Sequence, residues 1–183
     1  PIVKGWTVYR SIEDIIKNMS VVLPLINALH SDSMRDRHWK NVAKVCQVKS
    51  VDTHDPKFTF EDIVKLKINE HNDEIEEIVE LSFKELKIER KLSEVEKLWQ
   101  VLELDYVAHG ESDMFLIRPS EEVIEGLEGN QLELQTMIGM GKFVDFFRDR
   151  VLGWQTNLGN VEDVLKVWVI VSRSWASLES IFL

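Results

Sequence analysis

Cysteine is almost absent: one thiol, Cys46, stands in 183 residues. A single cysteine cannot form an intrachain disulfide, so this fold rests on packing, and such usage fits a reducing compartment. Turn formers are scarce as well, with 8 Gly and 4 Pro, too few for a sheet-rich fold with many tight turns. Basic charge is in deficit, 22 Lys and Arg against 32 Asp and Glu, a net charge of -10. That balance disfavours surfaces for nucleic acid, anionic lipid or any acidic polymer. No apolar run approaches 18 residues and no secretory leader pattern is present, so neither a membrane-spanning helix nor a signal peptide is expected.

What the sequence does contain is helical periodicity. From Trp154 a seam runs Leu158, Val161, Leu165, Trp168, Ser172, Trp175, Glu179, Phe182, in alternating steps of four and three that only Ser172 and Glu179 break. Val164, Val167, Val171, Leu178 and Ile181 lie beside it, which makes a stripe wide enough to be packed on two sides. Asn157-Leu158-Gly159-Asn160 reads as a stop and restart, with Asn160 capping the last helix. The pattern stays apolar to the last residue, and no Met opens the chain, so a segment of something longer is expected.

A second seam, Ile78, Leu81, Glu85, Ile88, Leu92, Val95, Trp99, Leu102, predicts a helix over about 70–102. Glu74, Glu76, Glu77, Glu80, Lys84, Lys87 and Lys91 form its solvated face. Before it, Ser11 with Asp14 predicts a cap, and Ile12, Ile15, Ile16 and Met19 share a face. Ser20 and Pro24 are expected to interrupt that helix, with Leu23, Leu25, Ile26 and Leu29 buried beyond. Ser31-Asp32-Ser33 reads as the cap of a helix from Met34 to about Cys46. Val51–Lys57 reads as a loop and 61–67 as a short helix. Loose alternation over 102–107, turn residues from His109 to Asp113, and apolar Met114–Ile117 predict a two-stranded hairpin. Pro119-Ser120-Glu121-Glu122 starts the next helix, which Gly139 and Gly141 end. Phe143, Val144, Phe146, Phe147 and Val151 then lead towards Trp154. The fold class is therefore mainly α: elongated bundles of antiparallel helices with one small hairpin at about 102–118. The expected division is 1–101, 102–118 and 119–183.

Chemistry-bearing patterns are few. Gly139-Met140-Gly141-Lys142 has the outline of a phosphate loop, but Thr136 stands at its first glycine position and Phe143 at its hydroxyl position. It reads as a helix junction. His30, His38, His54, His71 and His109 lack metal-site spacing. Cys46 reads as core, His38 beside Trp39 as a packed or surface histidine, and the tryptophan stripe as packing. No catalytic, cofactor-binding or metal constellation is expected.

Several phrases nevertheless resemble one family. Trp168-Val169-Ile170-Val171-Ser172-Arg173-Ser174-Trp175, running into Leu178-Glu179-Ser180-Ile181-Phe182, is similar to W-x-x-V-Q-R-x-W-x-x-L-E-x-I-F of the linker region of dynein heavy chains, with Ser172 where Gln is usual. Leu127-Glu128-Gly129-Asn130-Gln131 with Leu134-Gln135-Thr136-Met137 resembles its L-E-D-N-Q…L-Q-x-M. Arg37-His38-Trp39 matches R-H-W, and Lys84-Glu85 to Glu89 resembles K-E-x-x-I-E with Trp99 beyond. The Leu-Glu-Ser-Ile-Phe phrase leans towards ciliary, axonemal members of the cytoskeleton.

The resemblance implies a mechanical arm lying across a ring of AAA+ ATPase modules and moving with its nucleotide state. Catalysis would then belong to the parent motor ATPase, with ATP and Mg in the ring rather than here. The implied partners are that ring and, through the parent tail, other dynein subunits, with no direct nucleic acid, membrane or microtubule contact. Arg37, His38, Trp39, Trp99, Leu127, Gln131, Trp154, Trp168, Trp175, Leu178, Glu179 and Phe182 become packing positions. Gly139, Gly141 and Gly159 become candidate hinges, with Pro24 a further weak point. The other reading is a non-motor helical scaffold that binds partner helices through its apolar stripe.

Overall fold

Heptad spacing sets most of the secondary structure, and polar side chains set the helix ends. A computed structural model describes residues 6–53, 55, 56, 58–109 and 115–182. The protein is mainly α, and the described residues form six helices and one hairpin in the order α1 (Thr7–Leu29), α2 (Asp36–Val45), α3 (Phe60–Lys65), α4 (Asn72–Val101), β1 (Tyr106–Ala108), β2 (Phe115–Ile117), α5 (Glu121–Ile138), α6 (Arg148–Phe182). Short 3-10 turns precede α4, over Ile68–His71, and α6, over Gly141–Phe147.

Helix α1 corrects two expectations. It begins one turn before Ser11, whose hydroxyl donates to the Thr7 carbonyl at 3.0 Å instead of capping. It also continues through Pro24. An internal proline removes one helical hydrogen bond and costs about 3 kcal/mol. Burial of Val22, Leu25 and Leu29 around it offsets that cost at roughly 1.5–3 kcal/mol per side chain. Ile26 is half-buried and Leu23 exposed.

The start of α2 is a further correction. Its N-cap is Arg35, not the Ser31–Ser33 cluster. Ser33 is unavailable to cap because its hydroxyl is buried against that of Ser82 at 2.8 Å. Helix α3 is capped locally: the Thr59 N–H and hydroxyl both donate to Asp62 Oδ2, at 2.9 and 2.8 Å. Those bonds hold the Asp62 carboxyl below the usual carboxylate range. Between α2 and α3 lies the expected loop, of which His54 and Lys57 fall outside the described residues.

The α4 seam is inward as its period requires: Ile78, Glu85, Ile88, Leu92 and Val95 are buried, Leu81 and Trp99 half-buried. After it the antiparallel hairpin pairs Tyr106 with Ile117, Val107 with Leu116 and Ala108 with Phe115. It is shorter than the alternation suggested, since 102–105 is irregular; residues 110–114 of the expected turn lie outside the described residues. Tyr106 and Phe115 meet edge to face, centroids 5.3 Å apart. Ser120 caps α5, accepting from the Val123 N–H at 3.4 Å.

Helix α5 ends before Gly139 as expected, and Gly141 takes φ +64°, a left-handed conformation that favours glycine. Beyond it α6 runs unbroken through Gly159. The expected stop there, and the cap at Asn160, are therefore corrected. Burial of Leu158 and packing of Val161 on the core outweigh the roughly 1 kcal/mol that an internal glycine costs.

The chain divides into two compact units, Pro1–Leu86 and Lys87–Leu183, where the sequence suggested 1–101, 102–118 and 119–183. The hairpin belongs to the second unit and α4 contributes residues to each. In the first unit Val22, Leu25 and Leu29 of α1 pack with Val42, Ile68, Ile75, Ile78 and Val79. In the second, Ile88, Leu92, Leu127, Leu134, Met137, Val144, Phe147, Val151 and Leu158 form the core. Helix α5 packs on α6, and β2 also lies against α6.

Candidate functional site

Residues that stand apart in the sequence come together as ties between helices. In the first unit the tie is centred on Glu85, a buried carboxylate in the otherwise apolar α4 seam. His38 is 1% exposed, and its Nδ1 accepts the Arg35 N–H at 3.0 Å, closing the start of α2. That bond leaves Nε2 to carry the proton of the neutral ring and to donate to Glu85 Oε2 at 3.0 Å. Burial pushes the His38 pKa down, and although Glu85 opposes this, the ring stays neutral. Arg37 donates to the same Oε2 through Nε at 2.7 Å and places a second guanidinium nitrogen against it. One turn away the Ser82 hydroxyl donates to the Val79 carbonyl at 2.7 Å and meets Ser33. Trp39 is half-buried against the first core. The R-H-W and K-E phrases are thus two sides of one contact.

The second unit repeats the device. Gln131, of the L-E-G-N-Q phrase in α5, donates through Nε2 to Glu162 Oε2 of α6 at 3.0 Å. Lys166 pairs with the other Glu162 oxygen. Leu127 is buried, and Trp99 and Trp154 lean on the same core. Trp154 Nε1 donates to Glu96 Oε1 at 3.5 Å beside Arg150 at 2.6 Å, and Arg150 holds the Glu96 carboxyl below its usual range. His109, at the end of β1, places Nε2 3.3 Å from Glu179 Oε2 of α6. The two glutamates that interrupt apolar seams, Glu85 and Glu179, therefore each meet a histidine. Polar residues at seam positions were the sequence signal for these ties, but their partners, and the Ser33–Ser82 contact, were not readable from spacing.

Other singled-out residues are not gathered. Trp168, Trp175 and Leu178 stand 50%, 51% and 49% exposed, whereas the stripe read as internal packing. The Phe182 side chain lies outside the described residues. Gly139 and Gly141 mark the junction between α5 and the 3-10 turn, while Gly159 lies inside α6 with open space where a Cβ would stand.

No reacting centre is assembled from these parts. Both His38 nitrogens are committed to hydrogen bonds, so the ring cannot serve as a base in this state. Burial pushes the Cys46 thiol up, which leaves it a poor nucleophile. Among the described residues no three or more His, Cys, Asp or Glu stand close enough to share a metal ion, and no helix is long and apolar enough to cross a membrane. An apolar groove of about 360 Å³ lies between α5 and α6 and is lined by Val123, Ile124, Leu127, Leu165, Val169 and Ile170 among others.

Comparison with known proteins shows the family of the whole chain. The family described as dynein heavy chain, N-terminal region 2, matches residues 1–183. The ciliary dynein beta chain of Heliocidaris crassispina is 33% identical over 180 residues, 98% of this chain and 4% of that protein. The flagellar outer arm dynein beta chain of Chlamydomonas reinhardtii is 36% identical over 184 residues, 99% of this chain and again 4% of the relative. The dynein axonemal heavy chain 9 of Homo sapiens is 33% identical over 180 residues, with the same coverage as the first. The chain thus spans 4% of the length of these relatives, and it belongs to the N-terminal region 2 family of dynein heavy chains.

Proposed function

We propose that this segment is part of the linker arm of a ciliary, axonemal dynein heavy chain. It carries load between the AAA+ ring and the rest of the motor and has no catalysis of its own. ATP and Mg belong to the ring of the parent chain, and the ring is the principal partner. The reading rests on family membership and on one observation in particular: Arg37, His38, Glu85 and Gln131 of the family phrases join helices within each unit. A carboxylate that takes bonds from Arg37 and His38, and an amide that bonds across from α5 to α6, resist sliding of one helix along another. Sliding resistance is what a force-bearing block needs, with bending left to junctions between blocks. The break at Gly139–Gly141, inside the second unit, is a better candidate for local bending than Gly159, which lies within an unbroken helix.

The test is uncoupling in the intact motor. With Glu85→Ala in the full heavy chain, ATP turnover persists while microtubule gliding slows. Turnover and velocity falling in equal proportion, or neither changing, would refute the mechanical reading. Gly141→Ala tests the junction in the same assay, and an unchanged stroke would remove it as a hinge.

A further inference from the structure

The end of α2 folds the chain back on its own helix. Gln47 takes φ 56°, and the Val48 N–H donates to the Ala43 carbonyl at 2.9 Å, the six-to-one bond of a Schellman turn. Residues 48–53 then enclose, with α2, a cleft of about 660 Å³. Trp39, Ala43, Val48 and Val51 give it an apolar wall. Lys40 and Lys44, one turn apart on α2, and Lys49 from the returning segment give it three ammonium groups, set against Asp36 and Asp52. Among the described residues no ion pair joins any of these three lysines to a carboxylate, whereas Lys65, Lys84, Lys91 and Lys166 each hold one.

We propose that this cleft is a reversible docking site for a short acidic peptide of another protein, its carboxylates on Lys40, Lys44 and Lys49 and an apolar side chain against Trp39 and Val51. Carboxylates suit the cleft better than phosphate. No arginine fork lines it among the described residues, and Asp36 stands at the start of α2, where the helix end would otherwise attract an anion. Towards Lys44 and Lys49 the helix presents its carbonyl end, which repels a compact dianion most. A peptide spreads its charge instead. Carboxylates two residues apart on an extended strand stand about 6.5–7 Å apart, near the roughly 5–6 Å between side chains at the spacing of Lys40 and Lys44. That the occupant belongs to a separate protein follows from the solvated, charged rim. Permanent contacts bury mostly apolar surface, while those that form and part keep polar rims. The overall charge of -10 does not prevent docking, since exposed carboxylates more than about 8 Å away are screened at physiological salt. The site is independent of the force-bearing reading, because no movement enters it.

The experiment uses the intact parent heavy chain and, as probe, a short fluorescein-labelled polyglutamate peptide with one central photo-leucine. Anisotropy should report saturable binding that weakens at least about threefold as salt rises from about 50 to about 200 mM. The same peptide with glutamine for glutamate should not bind. Irradiation should attach the photo-leucine within α2 or residues 48–53. Lys40→Glu with Lys44→Glu should lower affinity at least about tenfold, while Lys40→Arg with Lys44→Arg should preserve it. Lys97→Glu, at an exposed position of the other unit, should change nothing. Lys40, Lys44 and Lys97 are all exposed, so the fold tolerates these changes. Absence of saturable binding, as when the heavy chain itself fills the cleft, would overturn the proposal. So would crosslinks elsewhere, full affinity in Lys40→Glu with Lys44→Glu, or displacement of the peptide by inorganic phosphate at matched ionic strength.

Discussion

Removing the carboxylate of Glu85 is the sharpest available probe of the first unit. In Glu85→Ala, His38 Nε2 loses its partner in a site 1% exposed and cannot turn to water, because Nδ1 is held by Arg35. A buried donor left without a partner costs about 1–3 kcal/mol. Arg37 is 29% exposed and can swing out, so its share is the smaller, about 0.5–1 kcal/mol. The cavity left by the side chain adds to both. The sum, about 2–4 kcal/mol, lies near the cost of breaking a buried pair and corresponds to a loss of roughly 30- to 1000-fold in protection factor. Hydrogen exchange of the α2 amides, read peptide by peptide, measures it without interference from the second unit. Arg37→Ala should lower protection much less. Replacing all three members of the tie, Glu85→Leu with Arg37→Leu and His38→Leu, should recover part of the loss. If α2 protection in Glu85→Ala stays within about twofold of the parent, or if Arg37→Ala matches it, the assignment of His38 as the dependent partner is wrong.

Three further outcomes follow from the same reasoning. Because burial lowers the His38 pKa in the folded state, the unfolded state binds the extra proton first. First-unit stability is therefore complete above about pH 6.5 and declines as pH falls below it; urea titrations at two pH values should show that slope, and His38→Gln should lose it. Leu134→Ala, at a fully buried position, should cost about 2–5 kcal/mol in the second unit, while Leu132→Ala at 66% exposure should stay within about 0.5 kcal/mol by the same denaturant midpoint. Gly141→Ala, forced to φ +64°, should destabilise by about 1–2 kcal/mol, whereas Gly159→Ala, with open space around its Cβ position, should stabilise α6 by up to about 1 kcal/mol in thermal unfolding.

How much of this was legible depends on the range of the interaction. The α4 seam could be read outright, since a period is a local property and Ile88, Leu92 and Val95 obey it. The start of α5 at Pro119–Glu122 and the hairpin were legible for the same reason. Pro24 and Gly159 misled because their penalties are local while the burial that overrides them, at Leu25 and Leu158, comes from other elements. Ser31–Ser33 misled because Ser82, 49 residues beyond Ser33, claims the hydroxyl that would have capped α2. As for the ties, Glu85 announced itself as a polar residue among apolar ones, but only the fold says that His38 answers it. The tryptophan stripe shows the limit in the other direction: spacing identifies an apolar face and is silent on whether anything covers it.

The paired ties on α4 carry one last consequence. Ser82 and Glu85 sit three residues apart on one helix and are matched by Ser33 and His38, so α2 has a single address along α4. A shift of one turn, about 5.4 Å, towards the α4 start would set Leu81 opposite the imidazole and strand both hydroxyls in an apolar wall. Greasy contacts alone would tolerate neighbouring notches; this pair of polar teeth admits one.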